Sequence, residues 1–254
     1  MYDIIDSHCH LDFDDFNSDR NAVIERARNK GIKQIVIPGV KRNSWHFIRE
    51  ICDNDPQLHA CYGLHPYLAG EHTDDDITQL RHWLDNNDCV AVGECGLDYR
   101  KDMVDKNLQL KFFNAQLDIA NANNKPVVIH SVGATEDVIK SIKHYPDLRG
   151  MIHSYSGSYE QAKQLINLGF YLSFGGAISY DNDRKLRATA SKVPLDSILL
   201  ETDAPDQPDA DHFNQRNEPA YLINVLKCLS ELRDESIEEI AIQTTRNAQK
   251  LFNI

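Results

Sequence analysis

The sequence predicts a (β/α)8 barrel of the α/β class from three observations: eight short apolar segments, helical periodicity between them, and a length of 254 residues. Neighbouring parallel strands need a crossover long enough for a helix, so strands that alternate with helices favour a parallel sheet. Eight such units in about 250 residues favour a closed barrel over an open doubly wound sheet. We therefore expect a single domain over residues 1–254.

The predicted strands are the short apolar segments, and each is followed by a segment with helical spacing. The strands cover residues 4–6, 34–38, 59–64, 90–93, 127–130, 151–153, 171–174 and 198–201. Helical spacing is seen, for example, in Leu110, Phe113 and Leu117. Residues 219–252 predict two helices that close the barrel, and the irregular stretch 204–218 predicts a loop over the rim of the active face.

The composition excludes several classes of protein. With 41% hydrophobic and 26% charged residues, the chain matches a globular protein with a full core and not a disordered one. The 39 acidic and 27 basic residues leave a net charge of −12, which is unsuited to coating nucleic acid through a broad basic face. A nucleic-acid substrate would have to be held locally, and bound divalent cations could supply that attraction.

The cysteines and the hydropathy pattern bear on the cellular compartment. The six cysteines include no CxxC pair, and a chain of this size does not need disulfides, so we expect reduced thiols and no zinc finger. The first residues contain no basic segment before a long apolar run, and no stretch approaches the roughly 20 apolar residues that span a bilayer. We expect a cytoplasmic protein with no membrane contact and no obligate protein partner.

His8 and His10 form an HxH pattern directly after the first predicted strand. Because strand side chains alternate with a period of two, both should point to the same face, and to the barrel interior if Ile4 and Asp6 do. Taken alone, the pattern is equally compatible with two unrelated polar residues where a strand becomes a loop. Other residues of metal-ligand type are needed to decide between these alternatives.

Four further residues of metal-ligand type stand where predicted strands end: Glu94, His130, His153 and Asp203. Barrel enzymes place their chemistry at the carboxyl ends of the strands, so all these side chains should meet the two histidines at one mouth. Four imidazoles and two carboxylates exceed what one catalytic Zn²⁺ takes. We predict two divalent ions, with Glu94 as the bridging ligand and Asp203 as both a ligand and the acceptor of a proton from the attacking water.

Three residues at the predicted mouth are assigned to the substrate: His65, Arg100 and Arg216. His65 ends the third predicted strand, and the alternative is that it only caps the strand and the following loop. The two arginines lie in loops that follow strands and should therefore border the active face. For each arginine the alternative is an ordinary solvated surface charge.

Seven motifs resemble those of the TatD family of metal-dependent deoxyribonucleases, within the amidohydrolase-like barrels. They are DSHCHLDF (6–13), YGLHP (62–66), VGECGLDY (92–99), VIHS (128–131), HSYSGS (153–158), ETDAP (201–205) and RNEP (216–219). The resemblance implies a distorted TIM barrel and a metal site on the same six residues. The mixed nitrogen and oxygen ligands of that site admit Zn²⁺, Mg²⁺, Mn²⁺ or Co²⁺.

The resemblance implies cleavage of DNA, and the leading hypothesis is hydrolysis of phosphodiester bonds from a strand end by a metal-activated water. Two departures from the family pattern favour the alternative, a dinuclear hydrolase of a small amide, ester or phosphoester. Val132 stands where many relatives carry an arginine, and Asp206 stands where they carry an aromatic residue, with Asp209 and Asp211 close behind. A third hypothesis is a metal or nucleic-acid binding module without catalysis.

Overall fold

The computed structural model describes residues 2–254 and confirms the predicted barrel. Eight parallel strands are hydrogen-bonded to one another in chain order. They are β1 (Ile4–Asp6), β2 (Ile32–Pro38), β3 (Leu58–Tyr62), β4 (Ala91–Asp98), β5 (Val127–Val132), β6 (Gly150–Ile152), β7 (Phe170–Phe174) and β8 (Ile198–Leu200). The chain segments that follow β1 and β8 are also joined, because the Asp203 amide donates to His8 O at 2.9 Å. The sheet is therefore nearly closed.

Helices on the outside connect the strands, and two of them follow the last strand as predicted. They are α1 (Arg20–Asn29), α2 (Trp45–Asp53), α3 (Asp74–Asn86), α4 (Lys106–Ala122), α5 (Thr135–Ile142), α6 (Tyr159–Asn167), α7 (Arg184–Lys192), α8 (Leu222–Glu231) and α9 (Ile237–Phe252). Capping boxes at Thr73, Ser158 and Ser236 start α3, α6 and α9. Within residues 2–254, none of the helices is long and apolar enough to cross a membrane.

One residue from every strand belongs to an apolar layer inside the barrel. The layer consists of Ile5, Val36, Cys61, Ala91, Val128, Met151, Tyr171 and Leu199. Residues Ala248, Leu251 and Phe252 of α9 pack into the same cluster, so this helix closes the amino-terminal end of the barrel. The functional side chains lie at the other end, where the carboxyl termini of the strands are.

Polar residues follow this layer towards the carboxyl ends of the strands. Side chains along a strand alternate between its two faces. His130, His153 and Glu201 each stand two positions after a residue of the apolar layer, so they also face the interior. The assumption that Ile4 faces the interior is wrong, because Ile5 does and Ile4 packs into the main cluster with the helices. Both faces of a barrel strand are buried, so its apolar pattern does not show which face is inside.

Candidate metal centre

The segment after β1 brings His8 and His10 together at the carboxyl end of the barrel. Their Nε2 atoms are 3.2 Å apart. The Nε2 atom of His8 lies 3.2 Å from Glu94 Oε2 and 3.3 Å from Asp203 Oδ1. The Nε2 atom of His10 lies 3.4 Å and 3.5 Å from the same two oxygens. All four side chains are buried, so these donor atoms face one another in a shielded group.

A second group of nitrogens surrounds the other oxygen of Glu94. Oε1 lies 3.1 Å from His65 Nε2, 3.1 Å from His130 Nδ1 and 3.2 Å from His153 Nε2. The nitrogens of His130 and His153 are 3.3 Å apart. The structure thus brings all six predicted ligands together, places Glu94 between two groups of donors, and adds His65 to the second group.

The spacing of the donor atoms fits metal ions. Ligands about 2.0–2.1 Å from a tetrahedral cation lie about 3.3–3.4 Å from one another. The distances within the first group are 3.2, 3.3, 3.4 and 3.5 Å. Hydrogen bonds alone do not account for the second group, because a carboxylate oxygen offers about two lone pairs and three histidine nitrogens face Glu94 Oε1. The residues present therefore fit divalent cations with mixed nitrogen and oxygen ligands.

Glu94 is directed into this centre by an irregularity of β4. The prediction that the fourth strand ends at residue 93 is wrong, since β4 continues to Asp98 and Glu94 lies within it. The pairing of β4 with β5 shifts register between Val92 and Cys95, on either side of Glu94. Bulges of this kind re-aim a side chain next to active sites. A pattern of apolar residues cannot reveal such a local change of register.

Gly96 allows β4 and β5 to approach each other beside the centre. Its φ is +144°, and a Cβ atom there would lie 2.0 Å from His130 O. We expect Gly96→Ala to push β4 away from β5 at His130, to lower the free energy of unfolding by about 2 kcal/mol or more, and to weaken metal binding. Urea denaturation and metal titration measure the two effects.

Gly133→Ala is the matched control for this variant. Gly133 also has a positive φ, of +60°, but a Cβ atom there would lie 3.8 Å from its nearest neighbour, in Tyr99. Backbone strain alone should then cost about 1–2 kcal/mol and leave metal binding intact. Equal losses of metal affinity in the two variants would show that close approach at His130 is not what Gly96 provides.

Two buried carboxylates contact the ring nitrogens of His130 and His153 that face away from Glu94. The sequence analysis predicted a role for neither carboxylate. Asp98 Oδ2 is 3.1 Å from His130 Nε2, and Glu201 Oε1 is 3.2 Å from His153 Nδ1. When each histidine donates its N–H to its carboxylate, its other ring nitrogen presents a lone pair to the centre. Each carboxylate stands an even number of positions from a predicted ligand on the same stretch of chain, which was the available indication in the sequence.

His65 differs from the other histidines in its hydrogen bonds. Its Nδ1 accepts from the Tyr67 amide at 3.0 Å, so the proton of the neutral ring is on Nε2, which faces Glu94 Oε1. Burial lowers the pKa of His65 to about 4, and the ring is therefore neutral at pH 7. A ligating nitrogen must offer a lone pair. This pattern suits a hydrogen-bond donor to substrate better than a metal ligand.

The protonation of the centre follows from the balance of burial and charge. Burial by itself raises the pKa of Glu94, but the positive charge of the buried His153 and His8 and the hydrogen bond from His10 outweigh it and hold that pKa well below its ordinary value. Burial is likewise outweighed at Asp203, where His153 gives the largest opposing effect and the pKa is again lowered. Burial lowers the pKa of His10, yet Asp203 and Glu94 raise it to about 10. Both carboxylates are ionised, and cations that bind here would displace protons from histidines.

The two arginines assigned to the substrate are both held by carboxylates. Arg100 Nε donates to Asp98 Oδ1 at 3.0 Å, and Asp98 in turn contacts His130. Arg216 pairs instead with Asp19, with both terminal guanidinium nitrogens 2.8 Å from its oxygens. The structure therefore connects Arg100 to the centre through one carboxylate and places Arg216 in an ion pair that ties the rim loop to the start of α1.

The acidic loop after Asp203 is held by its own hydrogen bonds. Asn217 is buried, and its Nδ2 donates to Thr202 O and Asp206 O at 2.8 Å each. Asp209 is also buried and accepts from the Asp211 amide at 2.9 Å. Its carboxylate therefore caps a turn of the loop and is engaged there, while Asp206 and Asp211 are exposed.

Comparisons with known proteins agree with the fold and with the binding of metal. A family model described as TatD related DNase matches residues 5–253. The chain is similar to an uncharacterized metal-dependent hydrolase of Bacillus subtilis (strain 168), at 34% identity over 253 residues and 99% of both proteins. It is also similar to the solved structure of YjjV, a TatD homolog from Escherichia coli K12, with a TM-score of 0.95, 35% identity, and coverage of 99% of this chain and 98% of that one. A TatD-family hydrolase from Entamoeba histolytica, with a TM-score of 0.88 at 21% identity, shares the fold over 99% of this chain and 98% of its own.

Proposed function

Since this chain belongs to the TatD-related DNase family of metal-dependent hydrolases, we propose that it cleaves phosphodiester bonds from the end of a DNA strand. The proposal rests on Glu94, whose two oxygens each face a separate group of histidine nitrogens. A carboxylate able to bridge suits two divalent cations, and paired cations serve enzymes that break phosphodiester bonds by in-line displacement.

Two divalent cations would be held by two ligand sets that share Glu94. The first set would be His8, His10, Glu94 and Asp203, and the second would be Glu94, His130 and His153. The second set has the three protein ligands that are typical of a catalytic ion with a position for water or substrate. Bound divalent cations would supply Lewis-acid stabilisation of charge on the phosphoryl oxygens and lower the pKa of the attacking water.

Two side chains act on the substrate and the water in this proposal. Asp203 accepts the proton of the attacking water, because it is ionised and its Oδ1 lies within the first group of donors. His65 donates Nε2–H to a phosphoryl oxygen. Arg100, whose side chain is 55% exposed, contacts a neighbouring phosphate, and Arg216 contacts the strand farther along the rim.

A strand end fits this surface better than a long duplex. The net charge of −12 repels an extended polyphosphate, so attraction has to come from the cations of the centre. The mouth of a barrel of eight strands also admits one chain end more readily than a double helix.

Hydrolysis of a small ester, amide or phosphoester by the same centre is the second proposed function, and a specific observation favours it. The arginines of the rim are engaged by carboxylates, since Arg42 donates to Asp75 at 2.7 Å and Arg100 and Arg216 pair as described above. Such pairs neutralise the positive charge that would otherwise hold a phosphate backbone.

A substrate panel run with defined metals tests both proposals. The chain is stripped of metal and reconstituted with Zn²⁺, Mn²⁺, Co²⁺ or Mg²⁺ in turn. Each form is then offered single-stranded and duplex oligonucleotides, bis(p-nitrophenyl) phosphate, and small carboxylic esters and amides. Stepwise shortening of the oligonucleotides supports the first function, and turnover of small substrates alone supports the second. Two bound ions without turnover of any substrate would contradict both.

The role of His65 is tested separately. We expect His65→Ala to keep about two ions per chain and to lower kcat about 10²-fold, because it removes one preorganised donor to the developing charge. His65→Gln, which keeps an N–H near the same place, should recover part of the loss. Elemental analysis and steady-state kinetics give the two readings, and a fall in metal content would instead make His65 a ligand.

A further inference from the structure

A groove of about 700 Å³ opens beside the metal centre, between the loops that follow β7 and β8. Its lining includes two aromatic rings and four amide side chains: Tyr180, Phe213, Asn182, Gln207, Asn214 and Gln215. Asp183 and Asp206 add carboxylates, and among residues 2–254 no lysine or arginine lines it. The groove therefore presents aromatic and amide groups together with two carboxylates, next to a centre suited to cations.

The chemistry of the groove selects against phosphate and for an uncharged planar group. Phe213 is 62% exposed, which is unusual for a large apolar ring, and its ring lies edge-to-face with Tyr180 at 6.3 Å between centroids. An aromatic surface of this kind can stack on a planar group. The amide side chains both donate and accept hydrogen bonds, whereas the two carboxylates repel an anion.

Gln207 joins this groove to the centre. Its Oε1 accepts from Ser154 Oγ at 2.7 Å, and its Nε2 donates to Asp203 Oδ2. The orientation of the amide follows from its partners, because a carboxylate accepts hydrogen bonds and the NH₂ group of the amide donates them. One side chain of the groove wall thus contacts Asp203 and the residue that follows His153.

We propose that the groove is the subsite for the base of the terminal nucleotide, and that Gln207 is the positioning residue that holds Asp203 beside it. The proposal rests on the proposed function, in which the phosphate attached to that nucleotide lies at the metal centre. A nucleobase is planar and uncharged, stacks on aromatic side chains, and offers both donors and acceptors at its edge. The uncharged base would thus contact the aromatic and amide groups of the groove, and the anionic phosphate would lie at the cations of the centre.

Chromogenic substrates with and without a base test the groove in the metal-loaded full chain. The probes are the p-nitrophenyl esters of thymidine phosphate, in both isomeric forms, and p-nitrophenyl methyl phosphate. Phe213→Ala should lower kcat/KM for at least one thymidine ester roughly 5- to 100-fold, the value of one stacked base, and change the methyl ester by less than twofold. Ile242→Ala, which truncates an exposed apolar side chain on α9, is the control and should change neither.

Gln207→Met should give a different pattern, because it removes the donor to Asp203 and keeps the length of the side chain. We expect kcat to fall about tenfold or more on the thymidine and methyl esters alike, with KM for the methyl ester little changed. The absorption spectrum of the Co²⁺-loaded variant should also shift, since Asp203 is no longer held in place. An unchanged spectrum together with unchanged kcat would overturn the role of Gln207.

Binding without turnover separates this proposal from the proposed function. Thymidine monophosphate and inorganic phosphate are titrated calorimetrically into the metal-loaded wild type and Phe213→Ala. The nucleotide should bind more tightly than phosphate to the wild type, and the variant should lose most of that difference. If the wild type hydrolyses neither class of ester, the proposed function fails while this titration still tests the groove. Equal affinities of the wild type for the two ligands, or equal losses on all three esters in Phe213→Ala, would overturn the subsite.

Discussion

Glu94→Gln should reduce the divalent metal bound per chain from about two ions to about one and slow hydrolysis by orders of magnitude. Glutamine keeps the shape of the side chain, but one of its two terminal atoms is an NH₂ group that only donates. In the wild type, Oε2 faces the first group of donors and Oε1 faces the second. Whichever way the amide turns, one group loses its acceptor, and the negative charge that offsets the repulsion of two cations is gone.

Elemental analysis after exhaustive dialysis measures the stoichiometry, and steady-state kinetics measure the rate. Glu25→Gln makes the same chemical change at an exposed position on α1 and should alter neither quantity. Glu94→Asp keeps the charge but shortens the side chain, so it should retain more metal than the amide variant. A far-UV circular dichroism spectrum like that of the wild type is required of each variant. Two ions still bound by a folded Glu94→Gln protein would show that Glu94 does not bridge.

The fold could be predicted because each barrel strand is buried on both faces and so reads as a short apolar run. The first strand was predicted with its observed bounds, Ile4–Asp6. The fourth was predicted four residues long and spans Ala91–Asp98, since the part beyond the predicted end carries Glu94, Gly96 and Asp98 and only two apolar residues. Hydrogen bonds to neighbouring strands set where a strand ends, and the local pattern of apolar residues does not show these bonds.

The prediction about His8 and His10 reached the right mouth by partly wrong reasoning. The period of two was counted from Ile4, whose side chain packs outside the barrel. The chain leaves the strand geometry after Asp6, whose Oδ1 accepts from the His8 amide at 3.2 Å and from the Thr202 amide at 3.0 Å. This buried carboxylate ties the segments that follow β1 and β8 together, and that connection, not strand periodicity, directs the histidines.

The residues that support the ligands could not be singled out from the sequence. Asp98 lies 32 positions from His130, and Glu201 lies 48 positions from His153, so each pair forms only when the barrel brings neighbouring or nearby strands together. Gln207 gave no indication at all, because an exposed glutamine in a long loop is ordinary. Residue type and strand position predict candidate ligands, whereas the partners of these residues depend on distances that only the folded chain sets.

Asp203→Asn should abolish hydrolysis while sparing most substrate binding. Asp203 has a φ of +56°, and asparagine tolerates this left-handed conformation at least as well as aspartate, so the backbone is not disturbed. Asparagine can still offer one carbonyl oxygen to a cation, but it cannot accept a proton at neutral pH. The NH₂ group of asparagine would also face another donor in either orientation. In one it faces the NH₂ of Gln207, which now donates to Oδ2, and in the other it faces the nitrogens of His8 and His10, which lie near Oδ1.

The chemical step should therefore suffer more than ground-state contacts, with kcat lowered about 10²- to 10⁴-fold and KM little changed. Rates are measured over a range of metal concentrations, because loss of metal affinity alone is overcome at saturation whereas loss of the proton acceptor is not. Asp147→Asn, at an exposed position before β6, is the matched control and should keep the wild-type rate. Near-normal kcat of Asp203→Asn at saturating metal would show that Asp203 is only a ligand and that another group accepts the proton.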